Sequence, residues 1–133
     1  MCFRRSTPPS TLASIIECYW VIEDAATERH QQKIIPDGYA EIIFHFADSY
    51  RICLNNTWHL QDKALLAGQI TKHFFLENTG ASSMLGIKLQ PTAITRLYGT
   101  NMQKLTDTVV PLQSSLPTMF AGLDSALRAQ HHY

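Results

Sequence analysis

Pro36-Asp37-Gly38-Tyr39-Ala40-Glu41-Ile42-Ile43-Phe44-His45-Phe46 joins a tight turn directly to a strand that carries a histidine. Pro36 fixes its own φ, Asp37 can accept a local backbone hydrogen bond and Gly38 supplies a φ that other residues resist, so the tripeptide has the chemistry of a turn. The stretch from Tyr39 to Phe46 is rich in β-branched and aromatic residues and holds no breaker. Taken alone, the run predicts a β-hairpin. Side chains alternate along a strand, so Ile43, His45 and Ala47 share one face while Ile42, Phe44 and Phe46 share the other.

Strand signals continue on both sides of this run. From Ile15 to Glu23 the residues Ile16, Cys18, Trp20 and Ile22 form an apolar face opposite Glu17, Tyr19, Val21 and Glu23. Lys33 to Ile35 reads as a short strand before the turn. Strands are then expected over Glu41 to Ala47, Tyr50 to Leu54, Thr57 to Leu60, Ala64 to Gly68, Thr71 to Glu77 and Met84 to Leu89. Asn55-Asn56 and Asn78-Thr79-Gly80 read as hairpin loops between them. The residues up to Thr11 are polar, contain Pro8-Pro9 and are expected to be a surface lead-in (1–11) to the domain proper. Short strands at regular spacing without alternating helices predict a β-sandwich or small barrel.

After Leu89 the pattern changes. Pro91 to Gly99 places proline at a first helical position and glycine just past the end, with Ile94, Leu97 and Tyr98 on one face. Asn101 to Thr106 reads as another turn, and Val109-Val110-Pro111-Leu112 as extended chain. Ser115 is placed to cap a helix through about Gln130, on which Leu116, Phe120, Leu123 and Leu127 form a stripe beside Met119 and Ala126. The expected class is mainly β in α+β order, with two to three C-terminal helices closing one domain over 12–130.

The 133 residues suffice for one domain with its own core. Lysine plus arginine and aspartate plus glutamate number 11 each, with no basic cluster to follow a phosphate backbone, so direct nucleic-acid binding by this segment is not expected. Cys2, Cys18 and Cys53 are odd in number and irregularly spaced, which predicts free thiols in a reducing, cytoplasmic setting. No apolar run approaches the roughly 18 residues of a membrane span, and no export signal is read at the start.

Three blocks together resemble the amino-terminal domain of AraC-type transcription regulators, in the cupin-like subgroup with a Pro-Asp-Gly turn. They are Tyr19-Trp20; Pro36-Asp37-Gly38 with Glu41-Ile42-Ile43-Phe44; and Gly68-Gln69 with Leu85-Gly86-Ile87-Lys88-Leu89-Gln90-Pro91-Thr92-Ala93 through Leu97-Tyr98-Gly99. Leu105-Thr106-Asp107 and Val110-Pro111-Leu112 are similar as well. The resemblance covers the chain from about residue 8 onward. It implies a jelly-roll-like sensing and dimerisation module, joined in the whole regulator to a helix-turn-helix DNA-binding half that would lie beyond Tyr133. The implied partners are a second copy of the chain, a small-molecule effector, and DNA only through the other half; no membrane and no cofactor are implied. In this family context Pro36, Asp37, Gly38, Glu41, Pro91 and Gly99 are structural motif residues.

The candidate pocket residues are His45, Gln69, His73, Lys88 and Tyr19, polar groups expected among apolar walls inside a small barrel. His45, His59 and His73 recur at even spacing, and imidazole is a common metal ligand. Metal-binding cupins, however, place two histidines one residue apart, and His45-Phe46-Ala47 breaks that pattern, so no metal is expected. Glu41 is read as a strut to Arg96 or a backbone amide, because a lone carboxylate lacks the second group that acid/base catalysis requires. The stripe Leu116, Phe120, Leu123 and Leu127 is either core or a dimerisation helix. The rival function is a stand-alone cupin-type enzyme, an isomerase or metal-dependent oxygenase, although no Gly-x-Ser-x-Gly, His-Glu-x-x-His, Cys-x-x-Cys or phosphate loop occurs.

Overall fold

In the computed structural model, which describes residues 2–91, 93 and 102–115, the opening run forms a strand, but its turn does not make a hairpin. Among the described residues ten strands form: β1 Cys2–Ser6, β2 Ile16–Asp24, β3 Gln31–Ile34, β4 Ala40–His45, β5 Arg51–Leu54, β6 Thr57–Leu60, β7 Ala64–Ala67, β8 Phe74–Glu77, β9 Ser82–Leu89 and β10 Val109–Pro111. They form two antiparallel sheets, a six-stranded one in the order β1-β2-β9-β4-β7-β10 and a four-stranded one in the order β3-β8-β5-β6. The chain therefore changes sheet at almost every connection from β2 to β9. Pro36-Asp37-Gly38 carries it from β3 in the small sheet to β4 in the large one. Gly38 takes φ +82° and the Asp37 Oδ1 accepts the Tyr39 amide at 3.1 Å, so the turn chemistry is as read and only its destination differs.

Asn78-Thr79-Gly80 is corrected in the same way: it leads from β8 to β9, which lie in different sheets. Asn78 is buried there and ties down the loop ahead of β3, accepting the His30 amide at 2.6 Å and donating to the Glu28 carbonyl at 2.7 Å. Asn55-Asn56 is a true hairpin loop between β5 and β6, with both residues at positive φ (57° and 62°) as a primed two-residue turn demands.

The lead-in also holds a strand that was not expected. Cys2–Ser6 pairs along β2 from Cys2↔Glu23 to Ser6↔Tyr19, yet every residue of it is exposed. An edge strand with two arginines and no buried face lacks the apolar alternation that reveals inner strands. Pro91 lies in a turn and Ala93 is helical, while Arg96 and Gly99 lie outside the described residues. So does the stripe Leu116, Phe120, Leu123 and Leu127. Ser115 is the last described residue of a helical stretch that begins at Leu112, so it lies within that stretch and is not its N-cap.

Around Ile43 the large sheet carries apolar side chains on both faces, which explains the unbroken run Ile42-Ile43-Phe44. On the outer face Ile42, Phe44, Ala64, Leu66, Ile87 and Leu89 pack with Ala93 and Leu112 into the main buried cluster. Burying a large apolar side chain contributes about 1.5–3 kcal/mol, so this cluster is a principal source of stability. The inner face looks across to the small sheet, and between them lies a cavity.

Candidate functional site

The strand register arranges the inner face of the large sheet in rows. Cys18, Lys88, Glu41, Ala67 and Val109 stand side by side across β2, β9, β4, β7 and β10; beside them run Trp20, Gly86, Ile43 and Leu65, then Ile22, Met84 and His45. Trp20 and Glu41 are on strands separated by β9, hence about 10 Å apart at the backbone. They nevertheless touch: the Trp20 Nε1–H donates to the Glu41 Oε2 at 2.7 Å. The indole reaches across because the residue beneath it is Gly86, where a Cβ would lie 1.9 Å from the ring's Cε2. A glycine inside a central strand here marks a place where another group passes close over the backbone.

Lys88 faces Glu41 directly across β9 and β4, yet its ammonium bonds to Asp37 of the turn and sits 5.9 Å from the centre of the Tyr39 ring. Burial pulls the Lys88 pKa down, but the Asp37 hydrogen bond and the Glu41 charge more than offset this and raise it. Burial pushes the Glu41 carboxyl above its ordinary value, against the Trp20 hydrogen bond and the Lys88 charge, which lower it. A carboxyl held in poor solvation beside an apolar wall is a recurrent mark of functional sites.

These groups line one side of a cavity of about 350 Å³ between the sheets. Its walls are mostly apolar: Trp20, Ile22 and Ile43 from the large sheet face Ile52, Phe74 and Leu76 from the small one. Asp37, Glu41 and Lys88 are the charged residues lining it among those described, and Phe3 and Ile35, 54% and 68% exposed, also border it. Volume and lining are those of a small-molecule pocket, apolar with a few orienting polar groups.

His45 stands in the row of Ile22 and Met84 and is fully buried. With Gln61 Oε1 accepting at 2.9 Å, the ring's Nε2 carries the proton, and Nδ1 has no partner among the described residues. Burial lowers its pKa to about 4, with the nearby Lys63 charge acting the same way and the Gln61 bond opposing. His45 does not itself line the cavity; its partner Gln61 and its ring neighbour Tyr50, 5.7 Å away, do.

Of the sequence-predicted pocket residues, Lys88 alone is on the cavity wall. Tyr19 is corrected to the opposite face of β2, packed against the outer cluster, because it alternates with Trp20. His73 is exposed ahead of β8 and stacks edge-on to Phe75 at 5.7 Å, in a second, smaller pocket lined also by Asn56 and Asp107. Gln69 is flanked by the lining residues Gly68 and Ile70, and its carbonyl accepts the Asp107 amide at 2.9 Å. His45, His59 and His73 do not converge, His59 being exposed on β6, and no group of three or more His, Cys, Asp or Glu is placed to hold a metal among the described residues. Glu41 bonds to Trp20, and the expected strut to Arg96 falls on a residue outside those described. Trp20, Gly86 and Ile43 are the site residues missed from the sequence, and the signal was the lone glycine inside the Met84-to-Leu89 run.

No described helix is long and apolar enough to cross a membrane. No curated protein matches the chain. Among solved structures it is similar to an HTH_3 family transcriptional regulator from Vibrio cholerae, at 17% identity and a TM-score of 0.46 over 67% of this chain and 50% of that one. The chain thus spans half the length of that regulator. A family model, "Domain of unknown function (DUF6597)", matches residues 4–111, and the chain belongs to that family.

Proposed function

We propose that the domain is a small-molecule-sensing regulatory module whose effector occupies the cavity between the two sheets. The carrying observation is the cavity itself: about 350 Å³, apolar on both walls, with the Trp20–Glu41 pair and Lys88 on one side. The strand order β2-β9-β4-β7 against β3-β8-β5-β6 supports a cupin-like jelly roll, a fold whose interior can hold one ligand. The Pro36-Asp37-Gly38 and Gly86-to-Ala93 motifs support an AraC-type regulator as the setting. In that setting the domain works as a homodimer in the cytoplasm and reaches DNA through another part of the protein.

A binding module is favoured over a cupin-type enzyme because Lys88 and Asp37, the charged groups nearest Glu41 on the wall, are engaged with each other. Among the described residues lining the cavity, that leaves Glu41 without a free charged partner for acid/base work. A thermal-shift screen of sugars, amino acids, aromatic acids and amines tests the reading. At least one compound is expected to raise the melting temperature by more than about 3 °C at saturating concentration, and Ile43→Phe, which fills the cavity, should abolish that shift. A screen without a stabiliser, or a shift indifferent to Ile43→Phe, contradicts it.

A further inference from the structure

Given that the cavity is a ligand site, its wall chemistry narrows the ligand class. We propose that it takes an apolar, aromatic amine whose ammonium group docks on the Glu41 carboxylate beside the Trp20 indole. This deepens the preceding reading and rests on it.

The charge inventory carries the argument. Two carboxylates, Asp37 and Glu41, and one ammonium, Lys88, line the cavity among the described residues. Lys88 is bonded to Asp37 and lies over the Tyr39 ring, so that pair is internally neutral. Glu41 feels the Lys88 charge but has no bonded counter-ion among the described residues. Its Oε2 accepts the Trp20 Nε1–H, while its Oε1 has no hydrogen-bond partner among the described residues. A half-buried carboxylate with one oxygen unbonded beside apolar walls is poorly solvated, as the raised pKa of Glu41 reflects, and a cation at Oε1 supplies a charge-assisted partner.

An anionic ligand meets the opposite situation, since Lys88, the one cation lining the cavity among the described residues, is already bonded to Asp37. A neutral ligand gains no charge-assisted hydrogen bond. Ile43, Ile52, Phe74 and Leu76 supply the apolar surface for the remainder of the molecule.

Three compounds with one ring system separate the alternatives: tryptamine, tryptophol and indole-3-acetate, titrated calorimetrically into the protein at pH 7.5. Tryptamine is expected to bind at least about tenfold more tightly than tryptophol, the usual advantage of a charge-assisted over a neutral hydrogen bond, with indole-3-acetate weakest. Glu41→Gln keeps an acceptor for Trp20 and should bring tryptamine down to the affinity of tryptophol. In the unmodified protein, lowering the pH from 7.5 to 5 increases the protonated share of Glu41, whose pKa burial raises, and should weaken tryptamine while leaving tryptophol unchanged; Asp37 and Lys88 are the other charged groups on the cavity wall among the described residues. This arm decides the matter if Glu41→Gln does not fold.

Equal or tighter binding of tryptophol or indole-3-acetate overturns the proposal, as does a tryptamine preference that survives Glu41→Gln. If none of the three binds while another compound from the thermal screen does, the amine inference fails and the ligand-site reading stands. If nothing binds in either experiment, both fail.

Discussion

The Gly86→Ala variant is expected to lose about 3 kcal/mol of stability, a large effect for one methyl group. The added Cβ would stand 1.9 Å from Trp20 Cε2 and 2.3 Å from Nε1, so the indole must leave its place. When it leaves, the Glu41 carboxylate loses its hydrogen bond, and a polar group left unsatisfied costs about 1–3 kcal/mol, which is part of the expected loss. The site would then lose both its geometry and its anchor. Urea denaturation reads this as a lower midpoint at unchanged slope. Because the cause is the indole, the same substitution in a Trp20→Val background should cost less than about 1 kcal/mol, the mark of two coupled positions. A small loss in the wild-type background, or an equal loss in both, would show that Gly86 is there for another reason.

The second large effect is a pH dependence centred on His45. Its folded-state pKa of about 4 lies below the ordinary 6.5, so folding favours the neutral ring. The resulting stability is fully present above pH 6.5 and is lost as pH falls through the interval down to about 4. A shift of that size corresponds to about 3 kcal/mol. His45→Gln cannot titrate, so between pH 7 and pH 4 it should lose about 3 kcal/mol less than the wild type. Parallel loss in the two proteins would mean that His45 charges freely in the fold, which its full burial and partnerless Nδ1 argue against.

Eight strands, β2 to β9, were legible because β-branched and aromatic residues alternate in short runs between turn residues. Which sheet each strand joins was not legible. Pro36-Asp37-Gly38 and Asn55-Asn56 are both sound turns by local chemistry, yet the first changes sheet and the second does not. Backbone φ fixes the turn; long-range pairing fixes the partner. The strand Cys2–Ser6 escaped notice because it buries no side chain.

The site divides along the same line. Lys88 was recognisable as a charge in an apolar strand, and the parity of β4 put His45 on the inner face with Ile43. Tyr19 could have been set aside by parity alone, since it alternates with Trp20. The Trp20–Glu41 pair could not be read, because its members are on strands two apart in a sheet whose order follows neither sequence nor local propensity. Gly86 was the available clue: a glycine interrupting an inner strand implies that something crosses above it.

Trp20 offers the most direct report on the central claim that this cavity is a ligand site. The chain has two tryptophans, and Trp58→Phe leaves Trp20, on the cavity wall, as the sole indole. Titrating that variant with 2-phenylethylamine, or with the strongest non-indole stabiliser from the thermal screen, should produce a saturable shift in Trp20 emission that disappears when Ile43→Phe fills the space. Saturable binding with no change in Trp20 emission, or a change that persists with Ile43→Phe, would place the ligand elsewhere and contradict the account.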